Sequence, residues 1–451
     1  MDKQQNRSGL HSAALAARAA RAAVRILKGA AAGGVYGAAA AAAKEAAPFA
    51  VKIILALLVV ALILPLLVFT AIPNMFFGYA SSNSEPVMEM TQQAMTIGGA
   101  YLSLQNFEST QIDSLVTGIV NEYENDGTTI DRIEVTNALD KEDLLWLIAI
   151  NSVYHEQNLN TMSASDIRLF CSEHLQYTPS LIESEDGDHL ETTLQVEIRG
   201  LDPYDLMRQL GFHGEAVNWA EVLYETLEES NALEEYGSYF ESFQPDYSGD
   251  GSYNGDLQHG NSYGNEIDIS KFISPDTKNN LDLAAYVTQA WEHNWGYVWC
   301  TYGNVLTDSL FQYKLRQYPD GVGNYEDYIR EHWLGRRTAD CVGLIKGYGW
   351  LDADTLTIGY ATNGMPDYGA DQMYQSALAA GSDHGPISSL PEIPGLAVWK
   401  SGHIGVYIGD GYVIEAMSTK NGVVKTEVTG RGWEGWCKLP FIDYLEEDEG
   451  Q

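Results

Sequence analysis

One stretch constrains this chain more than any other: IILALLVVALILPLLVFTAI, Ile53 to Ile72, twenty consecutive residues without a charge. A helix of that length covers roughly 30 Å of hydrocarbon, and a segment apolar all round has no polar face to turn towards water. A transmembrane helix is therefore expected over about residues 51–75, with Pro65 as a tolerated kink. A buried core helix and a cleaved signal peptide are the alternatives. About fifty residues precede the run, far more than a signal leader, and it exceeds the roughly 7 to 15 residues of a signal peptide's apolar region. An uncleaved anchor is the favoured reading.

Charge then orients the anchor. Residues 1 to 52 hold 8 of the chain's 26 lysines and arginines but 2 of its 62 acids. Excess positive charge stays on the cytoplasmic side, so the Ala-rich basic segment 1–50 is expected in the cytoplasm and the acidic remainder outside the cell membrane. Arg18, Arg21, Arg25 and Lys28 are spaced as one face of a helix, a stripe that suits anionic headgroups or simply fixes the topology. The formal charge of -36 repels phosphate backbones and excludes nucleic acid as a partner of the whole chain. A hydrophobic content of 45% is enough for real cores and excludes disorder throughout.

Two globular units are expected beyond the anchor. Residues 81–240 read as a mixed α/β accessory domain. DKEDLLWLIAINSVYHEQN, opening near Asp140, and GEAVNWAEVLYETLEE carry helical periodicity, while LETTLQVEIRGL alternates as a strand does. Residues 244–275, rich in Gly, Ser, Asn, Asp and Tyr, read as a linker. Asp246, Ser248, Asp250 and Gly251 imitate the start of a calcium loop, but Leu257 stands where a bidentate glutamate is needed. No metal or other cofactor is expected. Residues 281–446 open with helical AAYVTQAWEHNW, pass through a helix around CVGLIKGYGW, and end in the strands LAVW, HIGVYIG, YVIEAM and VVKTEV. Helices followed by an antiparallel sheet imply an α+β fold.

The four cysteines, Cys171, Cys300, Cys341 and Cys437, are too few for a disulfide scaffold and lack zinc-ligand spacing. Cys341 has the most suggestive context, RRTADCVGLIKGYGW, with Thr338 and Asp340 as candidate cap residues. A thiol at a helix start meets the positive end of the dipole and is expected to lose its proton more readily. A buried structural cysteine is the bland alternative. Among ten histidines, His403 differs because it heads a strand. Ile404, Val406 and Ile408 lie on one face of that strand, and His403, Gly405 and Tyr407 on the other, where the glycine leaves room for a substrate.

The pairing of His403 with Glu415 depends on loop parity. A two-residue Gly409-Asp410 turn would send Glu415 to the opposite face. A three-residue Gly409-Asp410-Gly411 loop, with Gly411 left-handed, pairs Glu415 with Gly405 and sets it diagonal to His403 on the same face. From there the carboxylate could accept the imidazole N–H, fixing the tautomer and stabilising the imidazolium. A satisfied core histidine beside a half-exposed glutamate is the alternative.

DCVGL (340 to 344), followed by PGLAVWKSGHIGVYIGDGYVIEA (394 to 416) and preceded by GYVWC (296 to 300), resembles the NlpC/P60 cell-wall peptidases. Their pattern is DCSGL, a PGDLVFF-like strand, GHVGIYIG and a third polar residue, after an upstream YVWGG. The resemblance covers about residues 290 to 445. It implies a papain-like α+β catalytic domain that hydrolyses peptidoglycan stem peptides at γ-D-glutamyl-diamino acid bonds. Cys341 would be the nucleophile, His403 the base and Glu415 the orienting third residue, with Tyr297, Asp340 and Gly405 on the substrate side. The third residue is usually His, Asn or Gln, the serine of DCSGL is Val342, and about forty residues separate Tyr297 from Cys341, several-fold more than is usual. That insertion is expected to shape specificity.

With its anchor, the whole resembles the wall-opening hydrolases of conjugative elements in monoderm bacteria, which implies wall peptide, the membrane, and envelope or conjugation proteins as partners. A competing reading is a catalytically silent wall-binding module. A fainter likeness of LLWLIAINSVYHEQNLN to lytic transglycosylases would make Glu156 an acid, but a spacer or docking domain is preferred there. Pairing of Cys300 with Cys437, or of Cys300 with Cys341, is left open.

Overall fold

The computed structural model describes residues 101–230 and 249–445, apart from short stretches at 102–103, 159–160, 163–166, 168–169, 171–172, 187–188, 254 and 256. The expected cytoplasmic segment, the run Ile53 to Ile72 and Cys171 lie outside the described residues. Among the described residues, no helix is long and apolar enough to cross a membrane. The architecture is α+β, with antiparallel sheets. The chain divides into two compact units that are discontinuous in sequence, one drawn from 1–108, 137–176 and 198–244, the other from 109–136, 177–197 and 245–451. The stretch 81–240, expected as one accessory domain, thus contributes to both.

In the first unit the helix α2 (Lys141–Tyr154) begins where the acids of DKED predicted. Asp140 accepts from the backbone N–H groups of Glu142 and Asp143, and Asp143 reaches back to the Asp140 N–H, so two orphan donors of the first turn are satisfied reciprocally. The buried face of α2 packs against α4 (Glu215–Ser230) through Leu145, Ile148, Ala220, Leu223 and Leu227, and Trp146 stacks on Tyr224 with ring centroids 4.2 Å apart. Asp202 caps the short helix α3 (Pro203–Gln209) between them, with Pro203 at the first helical position. Glu156 sits on an exposed turn just past α2, at φ 52°.

The second unit holds the region that resembles a peptidase. Its main sheet has six strands in the order β10-β9-β8-β7-β11-β6: β6 (His384–Pro386), β7 (Ala397–Lys400), β8 (His403–Gly409), β9 (Tyr412–Ser418), β10 (Gly422–Glu427) and β11 (Gly435–Cys437). Both faces are covered. Ile404, Val406, Ile414 and Ala416 enter a core shared with the helices α5 (Asn280–Glu292), α8 (Gly343–Gly349) and α9 (Ala370–Ala379). On the other face, Tyr407 and Val413 pack with Trp433 and Trp436. Strand alternation sorts the two sets.

The insertion between Tyr297 and Cys341 builds a two-stranded ribbon, β4 (Tyr302–Val305) and β5 (Arg337–Ala339), around α6 (Asp308–Gln317) and α7 (Glu326–His332). Part of α1 (Leu104–Asn125) belongs to the same unit and packs on this insertion. There the Lys314 ammonium, fully buried, meets the Asp113 carboxylate at 2.6 Å and also donates to the Thr117 hydroxyl and the Cys300 carbonyl. The insertion thus seats a distant helix. The three-stranded sheet β1-β3-β2 (Arg132–Asn137, His189–Gly200 and Leu175–Asp186) draws mainly on this unit as well.

The stretch expected as a linker is bonded into the second unit. Gly249 bridges to Ser418, and Gln258 pairs with Lys425 at the outer edge of β10. Trp291 donates to the Gln258 carbonyl, and Asn294 to those of Gly260 and Ser262.

Candidate active site

Cys341 lies between β5 and α8, with Asp340 between it and the end of the strand. That junction is fixed by Asp340, whose Oδ1 accepts from the Gly343 N–H at 2.6 Å and whose Oδ2 accepts from the Cys300 N–H at 2.9 Å. Asp340 therefore acts as a clamp between two backbone segments. Expected on the substrate side, it is 3% exposed with both oxygens already bonded. The glycine of DCVGL serves packing, because a Cβ at Gly343 would lie 2.0 Å from the Thr301 carbonyl oxygen.

The Cys341 thiol is 5% exposed. Burial, and then the neighbouring Asp340 charge, push it up to about 12, against smaller lowering effects that include a hydrogen bond from the Ile404 backbone N–H. The easier ionisation expected from the helix start is thus not what the thiol experiences. A seven-residue helix offers a weak dipole, worth about 1 kcal/mol at most near the surface, and desolvation of an anion outweighs it. The N–H that reaches the sulfur belongs to Ile404, the residue after His403.

His403 is 2% exposed, and its Nε2 lies 2.6 Å from Glu415 Oε2. The strands reach this arrangement by an unexpected route. Gly409 pairs with Tyr412, so the turn consists of the two residues Asp410 and Gly411, with φ of 53° and 77°. Two positive φ values are the pattern of a type I′ hairpin turn. Alone, that turn would set Glu415 opposite Val406. An irregularity between Tyr407 and Gly409 shifts the register by one, so that Val406 faces Ile414, and a Cβ at Gly405 would lie 3.3 Å from that of Glu415. The three-residue loop is absent, and a bulge performs its parity correction.

Glu415 is wholly buried and makes five hydrogen-bond contacts to three residues. Besides His403 it accepts from the Thr426 hydroxyl at 2.8 Å and from Arg431, through Nε at 2.9 and 3.0 Å and through Nη2 at 2.7 Å. Burial by itself would raise the carboxyl, but the hydrogen bonds and charges of His403 and Arg431 outweigh it and hold it at about 2. It is therefore a carboxylate at every physiological pH. His403 also stacks on Trp433, with centroids 5.6 Å apart and 16° between planes.

Gly405 provides no room for a substrate. A Cβ there would stand 2.8 Å from Val413 and 3.2 Å from the Trp433 ring, so the indole fills the gap ascribed to a ligand. Tyr297, 1% exposed, lies under the backbone at Gly249, where an added Cβ would be 2.9 Å from the tyrosine ring. Cys300, Cys341 and Cys437 are all free and buried, so neither Cys300–Cys437 nor Cys300–Cys341 is bonded.

Arg431, Thr426 and Trp433 were not anticipated. Arg431 sits in TGRGW between two glycines of positive φ, Gly430 at 84° and Gly432 at 78°. A cation and an indole inside so tight a glycine turn were the available signal. Comparisons with family models, curated proteins and solved structures find no match for this chain.

Proposed function

We propose that the second unit is a cysteine peptidase of the NlpC/P60 type, with Cys341 as nucleophile, His403 as general base and acid, and Glu415 as its orienting carboxylate. The observation carrying this reading is the buried Nε2–Glu415 bond on the residue next to the N–H that holds the Cys341 sulfur. A nucleophile at a helix start facing a base on an antiparallel sheet is the papain-like layout. With Nε2 engaged by Glu415, Nδ1 is the nitrogen that exchanges a proton with the thiol.

The chemistry follows. The Cys341 S–H passes its proton to His403 Nδ1, and the thiolate attacks the amide carbonyl while backbone N–H groups hold the oxyanion. The C–N bond breaks as the imidazolium protonates the leaving amine, giving a thioester and a free amine. His403 then takes a proton from water, whose oxygen displaces the sulfur and leaves a carboxylic acid and the thiol. Because burial resists a lone thiolate, proton transfer to His403 within an ion pair is the means of activation. The substrate class is the peptidoglycan stem peptide, cut at a γ-D-glutamyl-diamino acid bond. The apolar run Ile53 to Ile72 would anchor the unit on the outer side of the cell membrane, for local wall opening during wall remodelling or conjugation.

The raised Cys341 thiol and the filled face at Gly405 favour a second reading, a silent module that binds wall peptide without cutting it. Purified full-length chain incubated with muropeptides separates the two. New amine termini, lost in Cys341→Ala, support the peptidase. No release, together with a Cys341 that resists thiol reagents, defeats it.

A further inference from the structure

The segment 249–253 enters the polar layer behind His403, although it lies some forty residues before the region that resembles a peptidase. Arg431 uses all five of its donors there. Nε and Nη2 bind Glu415, Nη1 donates to the Ser252 carbonyl at 2.7 Å and to Asp250 Oδ2 at 3.2 Å, and Nη2 also donates to the Asp250 carbonyl at 2.7 Å. Asp250 Oδ2 meets a second cation, Lys400 Nζ, at 2.5 Å. Lys400 pairs with His403 across the sheet, and its ammonium lies over the Trp433 ring on which His403 stacks.

The charges alternate outward from the imidazole: Glu415 negative, Arg431 positive, Asp250 negative, Lys400 positive. Arg431 offsets most of the field with which Glu415 would stabilise an imidazolium. Asp250 offsets Arg431 and Lys400 in turn. Without it, two buried or half-buried cations face His403 against a single carboxylate. Partial burial raises the Asp250 carboxyl, but Lys400, Ser252 and Arg431 outweigh it and hold it well below the usual range.

We propose that Asp250 is a positioning residue of the Cys341–His403 site: it orients Arg431 on Glu415 and supplies the negative charge that lets His403 accept the thiol proton. This rests on the peptidase reading for its nucleophile and base. The segment 249–253 thereby sets the reactivity of the thiol.

The test is the rate at which iodoacetamide alkylates Cys341 in the full-length chain at pH 7, read by mass spectrometry of the Cys341 peptide. Asp250→Asn should slow alkylation about tenfold, while Asp250→Glu retains most of the rate. In a Glu415→Gln background, Asp250→Asn should add little, since it acts through Arg431 and Glu415. Lys400→Met, which removes an opposing cation, should raise the rate. An Asp250→Asn protein that alkylates like the wild type, or a loss that multiplies fully with Glu415→Gln, overturns the inference. So does an Asp250→Asn whose slowing is matched by a slowed Lys400→Met, which would mark a purely structural tether. A wild-type Cys341 that does not react at all overturns both this and the peptidase reading. The expected alkylation pattern without muropeptide cleavage removes only the assigned substrate.

Discussion

Cys300 and Cys341 lie in the same unit, both are buried, and both thiols are pushed up by burial first of all. Their surroundings differ in kind. Cys300, held at φ 54°, is ringed by Lys314, Asp113 and the Tyr318 hydroxyl, 3.7 Å from its sulfur. The ammonium there has three acceptors, and the thiol itself meets the Thr110 carbonyl and the Tyr318 hydroxyl. Cys341 instead takes a hydrogen bond from the backbone of Ile404, the residue after a histidine whose Nε2 is tied to a carboxylate. A buried cysteine therefore becomes a candidate nucleophile through the proton acceptor beside it. Burial and nearby charge are common to both sites.

The widest separation is expected in activity. Cys341→Ser should reduce amine release from muropeptides on the order of 10³-fold or more, whereas Cys300→Ser should stay within about twofold. Equal losses would dissolve the distinction between the two thiols.

Stability should reverse the ranking. Lys314→Met leaves Asp113 buried without its counter-charge and should cost about 3–5 kcal/mol, measured by urea denaturation. The paired change Lys314→Met with Asp113→Leu should recover most of that. If Lys314→Met unfolds no earlier than the wild type, the cluster is not the structural one.

Acid provides a third handle. The Glu415 carboxyl is depressed from 4.5 to about 2 in the folded chain. Its contribution is therefore fully present above about pH 4.5 and is lost as pH falls through the folded value near 2. The gap corresponds to roughly 3 kcal/mol. The stability difference between wild type and Glu415→Gln should shrink across that window, and a difference that stays flat from pH 5 to 2 would show that His403 and Arg431 do not hold the carboxylate. The smallest effect belongs to the hairpin. Gly411→Ala places a side chain at φ 77° and should cost about 1 kcal/mol, leaving Cys341 alkylation within twofold, because the bulge and not the turn sets the register.

Much of this was legible in local pattern. Helical periodicity and capping acids placed α2 and α4, and alternation placed β3 and the strands from LAVW to VVKTEV, because each signal spans a single element. The same-face relation of His403 and Glu415 was legible by parity, although the bulge that delivers it was not: a bulge leaves no mark that distinguishes it from a longer loop. The ionisation of the Cys341 thiol is not legible, because a weak dipole is visible in sequence and burial is not. Asp250 and Arg431 are 181 residues apart, and no periodicity links an ion pair across that distance. Gly405 showed a gap but not its occupant, Trp433, which sits 28 residues further on in TGRGW.

The pair of Asp113 and Lys314 carries a consequence in time. The two residues are 201 positions apart, so at a synthesis rate of about 5 to 20 residues per second, roughly 10 to 40 s pass between the emergence of one and the other. Over that interval α1 carries an acid and an apolar face whose partners do not yet exist. The nascent chain must keep that helix from other surfaces until the insertion before Cys341 is made, and Glu415 of the candidate site follows Lys314 only about a hundred residues later.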